Sequence, residues 1–517
     1  MLYYIKLLFG GGFVQQKMQK LSWLGSAAVC LLMTLVFAFL SVDSFFFTSF
    51  VSLQPPGNEL VERLRDYPLQ NSIVLLLCIA LLWLAWRIVQ KFSVPLYVLC
   101  GIAVCSQLVL GVWWIFEAKT APPYDAGTCL SYAAAFGRGE TSFAGDGYLA
   151  LYPFQTGWIF LLEPILRIFK TDYIAQLQFF NLCLTCAATL ALCSLAGRFS
   201  HGQSTQKIYC LLVPFVVQPV LYCNFVYGNV PSYTLGILAF WTLIRFFETK
   251  RLRFALLCTA LLTVATLAKP STLIFLAAAC IMLVLYCMRT NDWRALVLVL
   301  ALVVCTQGAA AAVQRFYEVR TGVNFGKGLP TSTWIAMGLE DTAASAPGFY
   351  NGRTVNALAD ADNDYAACDA AQKQVIRDRI KVYAKAPLSG AYFFYLKTSS
   401  QWNDPTGASL FQSSFTKSET VGATAQRWYM QNANEGIFAY MNGVQLLVYA
   451  LAFFSALAGL IRKETFSHTA LLLVIWGGFF YLLLSEGKAQ YVLPYFALSI
   501  PFAAHGAAIL FEKRRAK

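Results

Sequence analysis

An all-α polytopic membrane protein is the fold class this sequence predicts, and three observations predict it. The 517 residues are 58% hydrophobic and 13% charged, with a mean hydropathy of +0.57. A soluble chain of this length could not hide so much apolar surface. About twelve apolar stretches approach the ~20 residues that cross a bilayer as a helix. Lys and Arg gather in alternate loops, as they do at helix ends facing the cytoplasm. The net charge of +13 therefore belongs to helix flanks, and no nucleic-acid partner is expected.

In chain order the stretches are 22–45, 73–90, 93–116, 172–197, 208–226, 232–247, 254–268, 271–288, 294–313, 440–461, 469–485 and 491–511. Before the first, MLYYIKLLFGGGFVQQKMQK lacks a short apolar core followed by a small-residue cleavage site, and reads as a retained cytoplasmic tail or interfacial helix. Four regions follow from this layout. Residues 1–92 are a tail and an extra transmembrane hairpin, and 93–313 are a transmembrane core whose first outer loop is 117–171. An extracytoplasmic loop region covers 314–438, and 439–517 holds the last helices and a basic tail.

Orientation follows from the cations. With the N-terminus inside, Arg87, Lys91, Arg198, Lys207, Arg245, Lys250, Arg251, Arg253, Arg289, Arg294, Arg462, Lys463 and the tail cations fall in the cytoplasm. The short opposite loops offer only Lys269 and Lys488, and both termini are inside. The run 148–169 is apolar enough to span, but a crossing there would turn Arg198, Lys207 and the Lys250 group outward. It is therefore expected to lie along the outer surface, with Glu163 and Arg167 at the interface. In the second outer region, Ile376, Ile380 and Tyr383 recur at helical spacing and Pro387 ends that helix. The aromatic segment 390–402 reads as an interfacial helix, and 326–363 reads mainly as loop.

Most of the fifteen cysteines lie in apolar runs, where they act as small hydrophobes. Cys129 and Cys368 stand in polar loops, and free thiols are expected there over a bridge. No metal-ligand spacing appears. The histidines, His201, His468 and His505, all fall on the cytoplasmic side, so no metal site is predicted.

Chemistry is expected in the polar stretch 117–157. Glu117 and Glu140 read as ordinary loop residues. Asp125, stiffened by Pro122 and Pro123, would sit at the edge of a low-dielectric bilayer, a setting that suits a general base; a helix N-cap would use it equally well. Asp146 is the second acid. Tyr148, Tyr152 and Gln155 offer hydroxyls and an amide to a sugar, or form an interfacial aromatic belt. Lys269 in TLAKPSTL and Lys488 in SEGKAQYVLPY stand at outer hairpin tips, beside Glu486 and Tyr491. An ammonium there reaches headgroup depth, where a lipid phosphate sits, or simply snorkels. Asn229 is the polar centre of YGNVPSY and reads as a helix cap on its own evidence.

Taken together, these motifs resemble the GT-C glycosyltransferases, with bacterial protein O-mannosyltransferases and the lipid A aminoarabinose transferase as the nearer relatives. The residues carrying the resemblance are Asp125, Tyr132, Tyr148 and Tyr152-Pro153, then Lys269 in AKPS, then the Glu486-to-Pro494 stretch with Tyr491. It extends over roughly 95–511. The resemblance implies a polyprenyl-phosphate-linked sugar donor, undecaprenyl phosphate in a bacterial plasma membrane, and transfer on the outer face. It implies an acceptor hydroxyl on a cell-envelope glycan, lipid or protein, inversion at the anomeric carbon, and Asp125 as base. It requires no cofactor and allows a divalent cation. The chain departs from the family where an Asp-Glu pair is Asp125-Ala126, where an Asp is Asn229 and where an Arg is Gln490. Two other readings remain: a flippase or transporter of lipid-linked glycans, and a polymerase or ligase acting on undecaprenyl-diphosphate glycans. The near absence of charge within the predicted spans, and two unequal outer loops in place of matching halves, favour the enzyme over the transporter.

Overall fold

The computed structural model describes residues 12–52, 60–169, 173–342, 345–415, 422–429, 435–461 and 465–512. It is almost wholly helical. Helix α1 (Gly12–Phe46) leads into a two-stranded antiparallel ladder, β1 (Phe47–Val51) and β2 (Val61–Arg65). There follow α2 (Pro68–Lys91), α3 (Leu96–Ala118), α4 (Tyr124–Gly137), α5 (Tyr148–Leu151) and α6 (Gln155–Ile168). Next come α7 (Tyr173–Ala196), α8 (Gly202–Leu212), α9 (Gln218–Leu221), α10 (Asn229–Thr249), α11 (Leu252–Ala268), α12 (Leu273–Thr290) and α13 (Arg294–Thr321). The second polar region forms α14 (Thr331–Gly338), α15 (Arg353–Asn356), α16 (Tyr365–Lys385), α17 (Pro387–Trp402), α18 (Ser409–Ser413) and α19 (Ala423–Tyr429). The chain closes with α20 (Glu435–Ile461), α21 (Phe466–Leu484) and α22 (Leu493–Phe511).

Among the described residues, ten helices are long and apolar enough to cross a membrane, or eleven if one bent pair counts as a single span. The expected twelve divide accordingly. The stretch 208–226 is the bent pair, broken by 55° between Phe215 and Gln218, where Pro214 and Pro219 each withhold a backbone donor. The stretch 254–268 forms α11, which at 17 residues is shorter than a bilayer needs. The run 148–169 is not a candidate span; its main helix, α6, has 14 residues.

Small residues let the long helices approach. Along α22, Ala503, Ala504, Ala507 and Ala508 are buried, as are Ala452, Ser455 and Ala456 on the neighbouring α20. Close backbone packing of this kind replaces the hydrophobic drive that lipid removes. Helix α1 packs on the same group, with Phe37 6.4 Å from Tyr449, ring to ring.

Contacts sort the helix ends into two faces. On one, Arg198 pairs with Glu248, His201 with Glu512, and Arg289 stacks over Phe466. These are the loops rich in Lys and Arg. On the other face, the end of α3 meets α19 and the end of α21 meets α14 and α17 of the second polar region.

Several expectations need correction here. Glu163 is not at an interface. It is buried, accepts from Tyr317 Oη at 2.7 Å, and pairs with Arg320 and Arg167 at 2.8 and 2.5 Å. This cluster pins α6 to the end of α13, which runs eight residues past the expected limit at 313. Glu117 belongs to α3, and its Oε1 accepts from the first amides of α19, Thr424 N and Ala425 N. The region 326–363 contains α14. Pro387 does lie at the end of α16, but α17 starts there at once. From Lys397 to Trp402, α17 is buried and not interfacial. The Lys397 ammonium donates to the carbonyls of Gly338, Leu483 and Ser485, which closes the C-terminal ends of α14 and α21. Burial pushes Lys397 down to about 7, opposed by the Glu486 carboxylate. The β1–β2 ladder is likewise absent from the sequence reading. All cysteines of the chain are unbridged, Cys129 and Cys368 included.

Candidate active site

A cavity of about 1490 Å³ opens between the second polar region and the helix ends on its side of the bundle. Asp125, Asp146, Tyr148, Tyr152, Gln155, Lys269, Glu486, Lys488 and Tyr491 all line it. Asn229 stands one contact behind, joined to Lys269.

One wall is α4 and its neighbours. Pro123 is the N-cap of α4, so Asp125 is in its first turn and does not cap it. The carboxylate is exposed toward the cavity, and Tyr148 donates its hydroxyl to Oδ1 at 3.1 Å. Asp146 holds Tyr148 from below, accepting from its backbone N at 3.0 Å and from the Tyr132 hydroxyl. Behind them runs a buried polar chain. The Cys129 thiol lies 3.8 Å from Tyr148 Oη and donates to Gln155 Oε1 at 3.5 Å, and Gln155 Nε2 donates to Tyr227 Oη at 2.6 Å.

Burial raises the pKa of Cys129, Tyr148, Tyr152 and Tyr227 above their ordinary values, with the Asp125 carboxylate pushing the same way. These groups therefore stay protonated and cannot serve as bases. The proton acceptors on this wall are the carboxylates.

The facing wall carries the cations. Lys269 caps α11 at a tip that touches the 227–229 turn. Gly228 permits this approach, because a Cβ there would lie 1.9 Å from the Ala268 carbonyl oxygen. The Lys269 ammonium consequently reaches Asn229 Oδ1 and sits over the Tyr227 and Tyr491 rings at 4.4 and 5.3 Å. Asn229 is thus not a side-chain cap but an acceptor for Lys269. Burial pushes Lys269 down to about 7, and Lys488 adds to the effect, while Asp125 and Glu486 oppose it. Lys488 lies 3.6 Å from Glu486, whose other oxygen accepts from Tyr491 Oη at 3.1 Å.

Sequence reasoning missed Tyr227 and Tyr350. Tyr227 adjoins Asn229 in a turn already singled out, so its position was a usable signal. Tyr350, whose ring lies 5.7 Å from the Lys488 ammonium, sits in a Gly- and Ala-rich segment with none. Among the described residues, no three carboxylate, histidine or thiol groups converge in this cavity at metal-ligating distance.

No curated protein matches the chain. Two solved structures are similar to it over 79% of its length. One is the archaeal oligosaccharyltransferase AglB from Archaeoglobus fulgidus in complex with an inhibitory peptide and a dolichol-phosphate, at 11% identity and a TM-score of 0.40. The other is the Archaeoglobus fulgidus oligosaccharyltransferase in the apo form, at 13% and 0.43. The chain covers 50% of each of those proteins. A family model described as "Conserved hypothetical integral membrane protein" matches residues 27–507, and the chain belongs to that family of multi-pass membrane proteins.

Proposed function

We propose that this protein is a membrane glycosyltransferase of the GT-C type, moving a sugar from a polyprenyl-phosphate carrier to an acceptor hydroxyl on the extracytoplasmic face. One observation carries the reading: Asp125, a carboxylate among hydroxyls and a thiol that stay protonated, faces the same cavity as the ammoniums of Lys269 and Lys488. The cation-rich helix ends lie on the opposite face, which supports an extracytoplasmic site.

In this reading the donor phosphate lies against Lys269 and Lys488. Asp125 takes the proton of the acceptor hydroxyl as its oxygen attacks the anomeric carbon. The bond from that carbon to the phosphate oxygen breaks on the opposite side, which inverts the centre. Polyprenyl phosphate departs as an anion without needing a proton, and the two ammoniums stabilise its growing charge. Asp146 acts through Tyr148 as a positioning residue, and Tyr152 and Gln155 meet the sugar.

The test is a transfer assay with purified protein and polyprenyl-phosphate sugar, with a polyprenyl-diphosphate donor in a parallel arm. Turnover with the monophosphate donor that is abolished in Asp125→Asn supports the reading. Turnover only with the diphosphate donor, or retained activity in a folded Asp125→Asn, overturns it.

A further inference from the structure

At the cation-rich face, opposite the cavity, three cysteines from three helices meet. Cys100 is in the second turn of α3, Cys193 in the last turn of α7 and Cys210 in α8. Their Sγ atoms lie 3.7 Å (100 to 193), 3.7 Å (100 to 210) and 3.6 Å (193 to 210) apart, a nearly equilateral triangle. Three thiolates bound at about 2.3 Å to one tetrahedral ion stand roughly 3.8 Å apart, close to this spacing. Among the described residues it is the one group of three or more His, Cys, Asp or Glu side chains whose ligand atoms converge in this way.

We propose that Cys100, Cys193 and Cys210 bind a zinc ion as three thiolates, leaving the fourth position to an exogenous ligand. The location suits the charge. Three thiolates and a divalent ion leave one excess negative charge, and Cys100 and Cys193 lie about one turn inside the ends of α3 and α7. Lys207, three residues before Cys210, shares its face of α8. Arg198 stands in the turn between α7 and α8. A monovalent ion would leave a second uncompensated charge against apolar neighbours, so the divalent ion is favoured. The site would clamp the first leg of the bent span to α3 and α7, beside the bond from Gln206 Nε2 to the Cys193 carbonyl. Sequence spacing conceals the triad because its members are 93, 17 and 110 residues apart.

The test uses the full-length protein in detergent, purified without a polyhistidine tag, loaded with zinc and desalted. About one equivalent of zinc is expected to remain in the wild type and in Cys305→Ser, a lipid-facing control. It should be lost in Cys100→Ser, Cys193→Ser and Cys210→Ser. Cobalt added to apo wild type should give thiolate-to-metal charge-transfer absorption. Should the variants fail to fold, maleimide labelling of the wild type decides: zinc must shield these three thiols, identified by mass spectrometry. Absence of retained zinc, zinc that survives all three substitutions, or labelling unaffected by zinc overturns the site.

Discussion

Tyr148 donates its hydroxyl to Asp125 Oδ1 across 23 residues of sequence. The bond fixes a first-turn carboxylate whose own helix does not restrain it. With the Tyr148 phenol held protonated by burial, the pair has one direction of donation. Asp125→Asn should therefore lower transfer by roughly 10²- to 10⁴-fold, the range for loss of a general base. Tyr148→Phe, which keeps the ring and frees the carboxylate, should cost about tenfold, mostly in kcat. Steady-state kinetics with lipid-linked sugar measure both.

Lys269 gives the site a pH signature. It is a cation below about 7 in the empty cavity and neutral above. Affinity for polyprenyl phosphate should then fall as pH rises through 7, and binding above 7 should take up a proton. In Lys269→Arg, whose guanidinium stays charged, the profile should flatten. Titration calorimetry in buffers of different ionisation enthalpy reads the proton uptake. The same shift acts on stability with a definite sign. The unfolded chain holds this proton up to the ordinary lysine range, so the contribution to stability rises with pH between about 7 and that range.

Gly228→Ala should harm the site without touching a reacting group. Its Cβ would collide with the Ala268 carbonyl, so the two turns must part and the Lys269–Asn229 contact with them. KM for the donor should rise by about tenfold or more, corresponding to roughly 1.4 kcal/mol. Unchanged donor kinetics would show that the contact is dispensable.

Lys397→Met should be costly for stability. Three carbonyls now receive the three N–H bonds of one ammonium, and the substitution leaves them buried and unpaired. A loss of about 3 kcal/mol is expected, read from denaturant unfolding in detergent. Lys397→Arg should not restore it, because the site is closed to solvent and shaped for a compact head.

What could be read from the chain, and what could not, follows from the range of each signal. Apolar runs and Lys/Arg bias are local, and they located the long helices and the two faces. Lys269 and Glu486 stood out because charge is scarce in the short loops opposite the cation-rich ones, and Asp125 because it follows Pro122 and Pro123 in the polar stretch 117–157. The polar groups whose partners are remote gave no such sign. Lys397 looked like any lysine on an aromatic helix, since its acceptors are backbone carbonyls from two other elements. FTSFV and VERLR pair across a nine-residue connection, SLQPPGNEL, longer than the roughly two to five residues that mark a hairpin in sequence. Asn229 resembled a cap because its true partner is 40 residues away.

The β1–β2 ladder sets a constraint on synthesis order. Ser44 bonds to Asn403, and Asn442 to the Ser44 carbonyl, so the partners of the first helix's polar end are made 359 and 398 residues later. Until then, Asp43 and Ser44 face the edge of the bilayer without them. Arg63 is the early companion: it pairs with Asp43 at 3.0 Å from within the same hairpin. The newborn hairpin therefore carries its own counter-ion until the last third of the chain, which holds the other partners, has been made.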